Sequence, residues 1–281
     1  MSRCLRRLWD RWFGEPLRQV EAESLAYRGS EAGRRPDART IAVLLTAAAC
    51  LTLQNYASHP DKMAPLAGTA AGLVAGPAAE AGVRDTLREW TVNQGPQLTW
   101  FALTAILSYT LFPIAVIKLV FRGRLTDFGL GVRGVAADWP VYLGFASVIA
   151  PLVWLFSAEE RFQHVYPFYR VHSPAEVDAA FVRWEVVYAL QFVALEFFFR
   201  GFLVHGTKHR FGVYAVFVMV IPYCMIHFHK PLPECVGSIL AGVALGLVSL
   251  ATRSVWPGAV LHISVAWGMD LACLYRRGMI G

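Results

Sequence analysis

Four side chains give this mostly apolar chain a capacity for chemistry. Glu196 and Arg200 stand four residues apart in QFVALEFFFRGFLVHG (191–206), His227 closes PYCMIH, and His262 closes WPGAVLH. Four apart on a helix, a carboxylate and a guanidinium share a face and can pair. Ionisable groups at membrane depth cost several kcal/mol or more, so two readings stand: an ion pair that ties helices together, or a reactive site. A carboxylate and two imidazoles from three helices can activate water and hold a developing oxyanion. Each histidine taken singly also reads as a hydrogen-bonded contact between helices. The same three groups could in principle bind zinc, but no HExxH places two ligands on one helix, and Arg200 competes with a cation for the carboxylate. No metal and no cofactor is therefore expected. His205, His209 and His229 lie nearer helix ends, where solvated or interfacial roles suffice.

The elements that must position these groups are membrane helices. Of the 281 residues 56% are hydrophobic and only 16% charged, with a mean hydropathy of +0.44. Soluble domains are about a quarter charged. Several apolar runs approach the ~20 residues that cross ~30 Å of hydrocarbon. The fold class is all-α, a polytopic transmembrane helical bundle of about seven spans, near 40–56, 98–121, 139–157, 183–209, 211–229, 235–252 and 256–275. The net charge of +6 and pI near 9.2 come from basic residues between the apolar runs. They point to the lipid bilayer as partner and not to nucleic acid. The positive-inside rule puts the N-terminus in the cytoplasm of an inner (plasma) membrane protein. The five cysteines have no CxxC spacing and read as free thiols.

Three divisions follow. Residues 1–39 form a cytoplasmic segment with an amphipathic helix: Leu5, Leu8, Trp9, Trp12 and Phe13 on one face, Arg3, Arg6, Arg7 and Arg11 on the other. Such a helix lies on an anionic leaflet or docks on the protein itself. Residues 40–124 hold the N-terminal transmembrane helices and an external loop. That loop includes 64–83, where Gly68, Gly72 and Gly76 suit close packing but Pro65 and Pro77 interrupt, so a loop or short re-entrant helix is expected. Residues 125–275 hold the core with the four site residues, entered through LTDFGLGVRG, a short polar connector. At 1.5 Å per residue Glu196 lies about 18 Å above His209, and His262 about 9 Å above the start of its helix, so convergence depends on side-chain reach.

These motifs resemble those of the CAAX protease and bacteriocin-processing (CPBP, or Abi) intramembrane proteases. The family pattern is EExxxR, FxxxH, then HxxxN or HxxxD, each on a membrane helix; the counterparts are LEFFFR (195–200), YCMIH (223–227) and HISVA (262–266). The resemblance covers about residues 125–275. It implies an intramembrane endopeptidase acting on membrane proteins or peptides, including protein C-terminal tails. A carboxylate and His227 would activate water, His262 would stabilise the oxyanion, and Arg200 would orient Glu196, with neither metal nor covalent intermediate. The chain departs from the pattern at three places. Leu195 stands where the family has its general-base Glu, and neighbouring helix positions point about 100° apart, so Glu196 replaces it only through a helix rotation or a local bulge. Tyr223 for Phe is expected to be harmless. Ala266 replaces the Asn or Asp beside His262, and Asp270, two turns on, is the candidate substitute. Leu195 and Ala266 favour the alternative of a catalytically silent member that binds membrane peptides or confers bacteriocin immunity. A transporter with a carboxylate–histidine relay ranks last, because no paired broken helices or inverted halves are visible.

Overall fold

The computed structural model describes residues 9–132, 139–228, 230 and 232–281, with no strand among the described residues. In chain order the main helices are α1 (Glu15–Gly29), α2 (Ala38–Ala57), α3 (Pro60–Ala75), α4 (Pro77–Val92), α5 (Gln94–Ala115), α6 (Trp139–Phe156), α7 (Ala179–Glu196), α8 (Tyr214–Met225), α9 (Leu232–Thr252) and α10 (Trp256–Arg276). Among the described residues six stretches are long and apolar enough to cross a membrane: Ala38–Ala57, Gln94–Val120, Trp139–Phe156, Ala179–Phe211, Leu232–Thr252 and Trp256–Arg276. The chain is an integral membrane protein. Helix α8 has only 12 residues, about 18 Å of helix.

Side-chain contacts give the direction of each pass. At one end of the bundle Asp37 meets His209, Glu21 meets the backbone N–H of Val213, and Glu23 pairs with Arg253. At the other, Gln94 exchanges two hydrogen bonds with the backbone of Arg170, while Lys230 reaches Tyr166 and Glu234. Gly212 and Lys230 thus lie at opposite ends, so α8 and its following turn carry the chain across. The seven expected spans are these six stretches plus α8.

Helix α7 is the axis. Asp178 caps it through the N–H groups of Ala180 (2.7 Å) and Phe181 (3.2 Å), and those bonds hold its carboxyl below the ordinary value of 3.8. The helix continues unbroken through a π-helical segment, Phe197–His205, and a last α turn, Gly206–Phe211. In this stretch 72% of the most apolar window is buried, against 6% for α6 at the periphery. Phe197, Phe198, Phe199 and Phe202 fill the core around it, with Phe198 stacked on Tyr109 of α5 at 4.5 Å. Glycines bring α9 close: a Cβ on Gly246 would stand 2.6 Å from Val216 and one on Gly242 3.1 Å from Tyr223.

Three expectations change. Residues 64–83 belong to the helical hairpin α3–α4, turned at Gly76 (φ +86°), and not to a loop. Gly68 and Gly72 make the close approach, with Arg84 and Glu80 lying where their Cβ atoms would be. Pro77 takes the first turn of α4, where a missing N–H leaves no bond unmade. The connector after Leu125 is no polar surface loop either. Phe128 is buried against Phe202, and its carbonyl lies 2.6 Å from where a Cβ on Gly201 would stand. Finally, α1, which lies beyond the expected amphipathic face, docks on the protein and buries Val20 and Ser24, whereas Trp9, Trp12 and Phe13 are not buried. Leu5, Leu8 and the arginines between them lie outside the described residues, as do His229 and 133–138.

Candidate active site

The π-helical segment begins immediately after Glu196 and includes Arg200. The wide turn keeps the two within reach: Arg200 Nη1 lies 3.0 Å from Glu196 Oε1, both side chains fully buried. The same oxygen lies 2.9 Å from His262 Nδ1, so one carboxylate oxygen joins α7 to α10. Glu196 Oε2 has no hydrogen-bond partner among the described residues and faces Gly258, where a Cβ would stand 2.4 Å away. Only glycine fits there.

His262 reaches Glu196 because α10 starts deep inside the bundle. Val255, just before it, packs at the level of Gly201, ten residues up from Phe211. The Phe128–Gly129 wedge supports that turn: Gly129 (φ +83°) accepts from Val255 N–H at 3.0 Å. Nonhelical backbone at such depth is tolerated where it is buried in protein. The His262 ring also packs on Phe192 at 4.3 Å.

His227 arrives by a different route. Helix α8 ends at Met225, leaving its last carbonyls without helical partners. His227 Nδ1 lies 2.8 Å from one of these, the Tyr223 carbonyl. A carbonyl only accepts, so Nδ1 carries the proton and Nε2 of the neutral ring keeps its lone pair. No hydrogen bond joins His227 to Glu196 among the described residues. Tyr223 stands between them: its ring lies 5.0 Å from His227, 6.5 Å from His262 and 4.0 Å from the Arg200 guanidinium carbon. Among the described residues no Arg200 nitrogen has a hydrogen-bond partner; Nη1 makes the ion pair with Glu196, and the Tyr223 face is the other close company. The Tyr223 ring, which a Phe would equally supply, is the contact common to Arg200, His227 and His262.

The structure thus brings Glu196, Arg200 and His262 into direct contact and sets His227 beside them through Tyr223. Exposure divides them: Glu196 and Arg200 have none, whereas His262 keeps 17% of its side chain accessible and His227 is half-buried. The imidazoles reach the protein surface and the carboxylate does not. Asp270 does not compensate for Ala266. Its Oδ1 accepts from the Phe168 N–H at 3.2 Å, and its carboxyl group also contacts Glu185 of α7, near the opposite end of the helix from the π segment. Nearby, Tyr166 donates to Glu234 at 2.9 Å and accepts from Lys230; burial pushes its phenol well above the ordinary value of 10.0 and keeps it a donor. An apolar cavity of about 180 Å³ separates α6 from α10, lined by Ile149 and Val153 on one side and Leu261 and Val265 on the other. None of the four site residues lines it.

Residues 178–268 match the family described as type II CAAX prenyl endopeptidase Rce1-like. This segment is similar to that family. The Rce1-like segment opens at the cap of α7 and closes just past Ala266, so Glu196, Arg200, His227 and His262 all fall inside it. The match agrees with the resemblance to the CPBP proteases, and the Rce1-like family is a protease family. No curated protein and no solved structure matches the chain.

Proposed function

We propose that the protein is an intramembrane endopeptidase of the CAAX prenyl protease type, cleaving membrane-associated peptides or protein C-terminal tails. The observation that carries this reading is the single Glu196 oxygen, held by Arg200 and holding His262, at the centre of an Rce1-like segment. His227, with its Nε2 lone pair free, takes the proton from the attacking water. His262 donates Nδ1–H to Glu196 and turns Nε2 outward; protonated there, it donates to the oxyanion while Glu196 stabilises the imidazolium. Glu196 is then a positioning group, and Arg200 holds it in place. No metal takes part in these steps.

The basic N-terminal segment, Arg39, Lys208, Arg210 and Arg253 gather at one end of the bundle, and the positive-inside rule makes that end cytoplasmic, in an inner (plasma) membrane. A second reading, a silent member that binds membrane peptides, draws on the complete burial of Glu196 and the core position of Ala266. Membrane peptides from cells carrying wild type, Glu196→Gln and His227→Ala decide between the two. Cleavage products present with wild type and reduced about 10²–10⁴-fold with His227→Ala are expected. Activity should survive prolonged chelation. Identical peptide profiles for all three favour the silent reading, and activity abolished by chelator and restored by zinc overturns the metal-free mechanism.

A further inference from the structure

Beyond the four site residues, one pair of side chains is placed for chemistry that the peptidase reading does not use. Cys224 lies in the last turn of α8 and Cys235 in the first turn of α9, with their sulfurs 3.9 Å apart. The Cys224 sulfur also lies 4.0 Å from the Cys235 carbonyl. Neither residue is fully buried, whereas Cys50 and Cys273 are sealed in the core on other helices. Gly242 and Gly246 keep α9 tight against Tyr223 and Val216 of α8, so the two thiols are held as neighbours by the packing of their helices.

We propose that Cys224 and Cys235 are a disulfide-forming pair that clamps α8 to α9 around His227. A disulfide needs its sulfurs about 2.05 Å apart, an approach that rotation about the two Cα–Cβ bonds can supply without moving a helix. The oxidant is a second thiol–disulfide couple, of either a small molecule or a protein. One cysteine thiolate attacks that disulfide, forming a mixed disulfide and expelling the first oxidant thiolate. The other cysteine thiolate then attacks the protein sulfur of the mixed disulfide and releases the second oxidant thiol. Two cysteine thiols lose two protons and two electrons, and the oxidant disulfide becomes two thiols. The bond closes a ring of backbone that contains His227, three residues after Cys224, and Lys230, which bridges to Glu234 and Tyr166. Oxidation thereby fixes the connector that presents His227 to the site.

The test uses the full chain in lipid nanodiscs, with oxidised glutathione as the probe, and reads thiols and not proteolysis. Its outcome is therefore independent of whether the protein is an active peptidase. After oxidation the protein is unfolded in excess alkylating agent and its peptides are weighed. The expected product is one internal link, Cys224 to Cys235, lighter by two hydrogens, with the other three of the five cysteines alkylated. Dithiothreitol returns all five to the alkylated form, and the melting temperature of the oxidised protein is several degrees above that of the reduced. In Cys224→Ser the internal link disappears and Cys235 retains a glutathione adduct. If that variant does not fold, the wild-type link decides alone. Five alkylated cysteines after oxidation, or a link to any other cysteine, overturns the proposal.

Discussion

Arg200 has nowhere to go when Glu196 loses it, and the converse holds equally, since neither side chain reaches solvent. Arg200→Ala therefore leaves a buried carboxylate with His262 as its one remaining close partner, a loss of about 3–5 kcal/mol. His262→Ala removes a ring that can be neutral and is partly exposed, so its loss falls mainly on activity. Thermal melts in detergent are expected to place Arg200→Ala well below His262→Ala; equal stability of Arg200→Ala and wild type would exclude a structural ion pair. Gly258→Ala probes the carboxylate from behind. The added methyl meets Glu196 Oε2 at 2.4 Å, so the carboxylate must swing and its bond to His262 must lengthen. Its kcat is expected to drop at least tenfold with KM little changed, in assays on whichever membrane peptide wild type cleaves. The pairing of Glu196 with Arg200 was legible from type and spacing, because a carboxylate and a guanidinium four apart on a helix share a face. Tyr223 was not: a ring's position over a guanidinium depends on how two helices cross. Asp270 misled for a related reason. Helical spacing gives the face a residue occupies but not the neighbour that meets it, and here the neighbour is a loop N–H at Phe168.

At the scale of elements, the site rests on the Phe128 wedge as much as on its own helices. The Phe128 ring is buried beside Phe121 and Phe202, and the next residue holds the turn from which α10 departs. Phe128→Ala opens a cavity at that junction and should cost about 3–5 kcal/mol. Chemical denaturation of purified protein checks the value. A change below about 1 kcal/mol would mean that the wedge is not what holds α10 at its depth. The connector gave no sign of this in sequence, since LTDFGLG mixes polar residues with isolated apolar ones as surface turns do. What buries it is the vacancy left by Gly201 and Gly206 on the far side of α7, visible only once the helices are assembled. The α3–α4 hairpin was missed through punctuation: Pro77 begins α4 at its first turn, and Pro65 sits inside α3 without ending it. A π-helical segment follows Glu196 and carries Arg200, but it does not put Glu196 in the place of Leu195. It brings the carboxylate to Arg200 and His262 without exposing it.

For the whole molecule, the number of passes was readable from the apolar runs, and their direction follows from contacts at the two ends. A test places single cysteines at Thr126 and Ala175 in a chain whose native cysteines are replaced. A thiol reagent that cannot cross the membrane should label Ala175→Cys in intact cells and miss Thr126→Cys. The reverse pattern would invert the whole topology and move His209 and Arg253 outside with Thr126. The docking of α1 has a consequence in time. Its partners, Phe211, Val213 and the end of α9, are synthesised long after it: Glu23 pairs with Arg253, and Glu21 with the N–H of Val213. At 5–20 residues per second, more than 220 residues of further translation separate Gly29 from Arg253, roughly 10–45 s. Through that interval α1 is complete while its resting place does not exist. Val20, which the docked helix buries, has no protein to cover it until then, and the bilayer surface is the apolar phase within reach of a helix so placed.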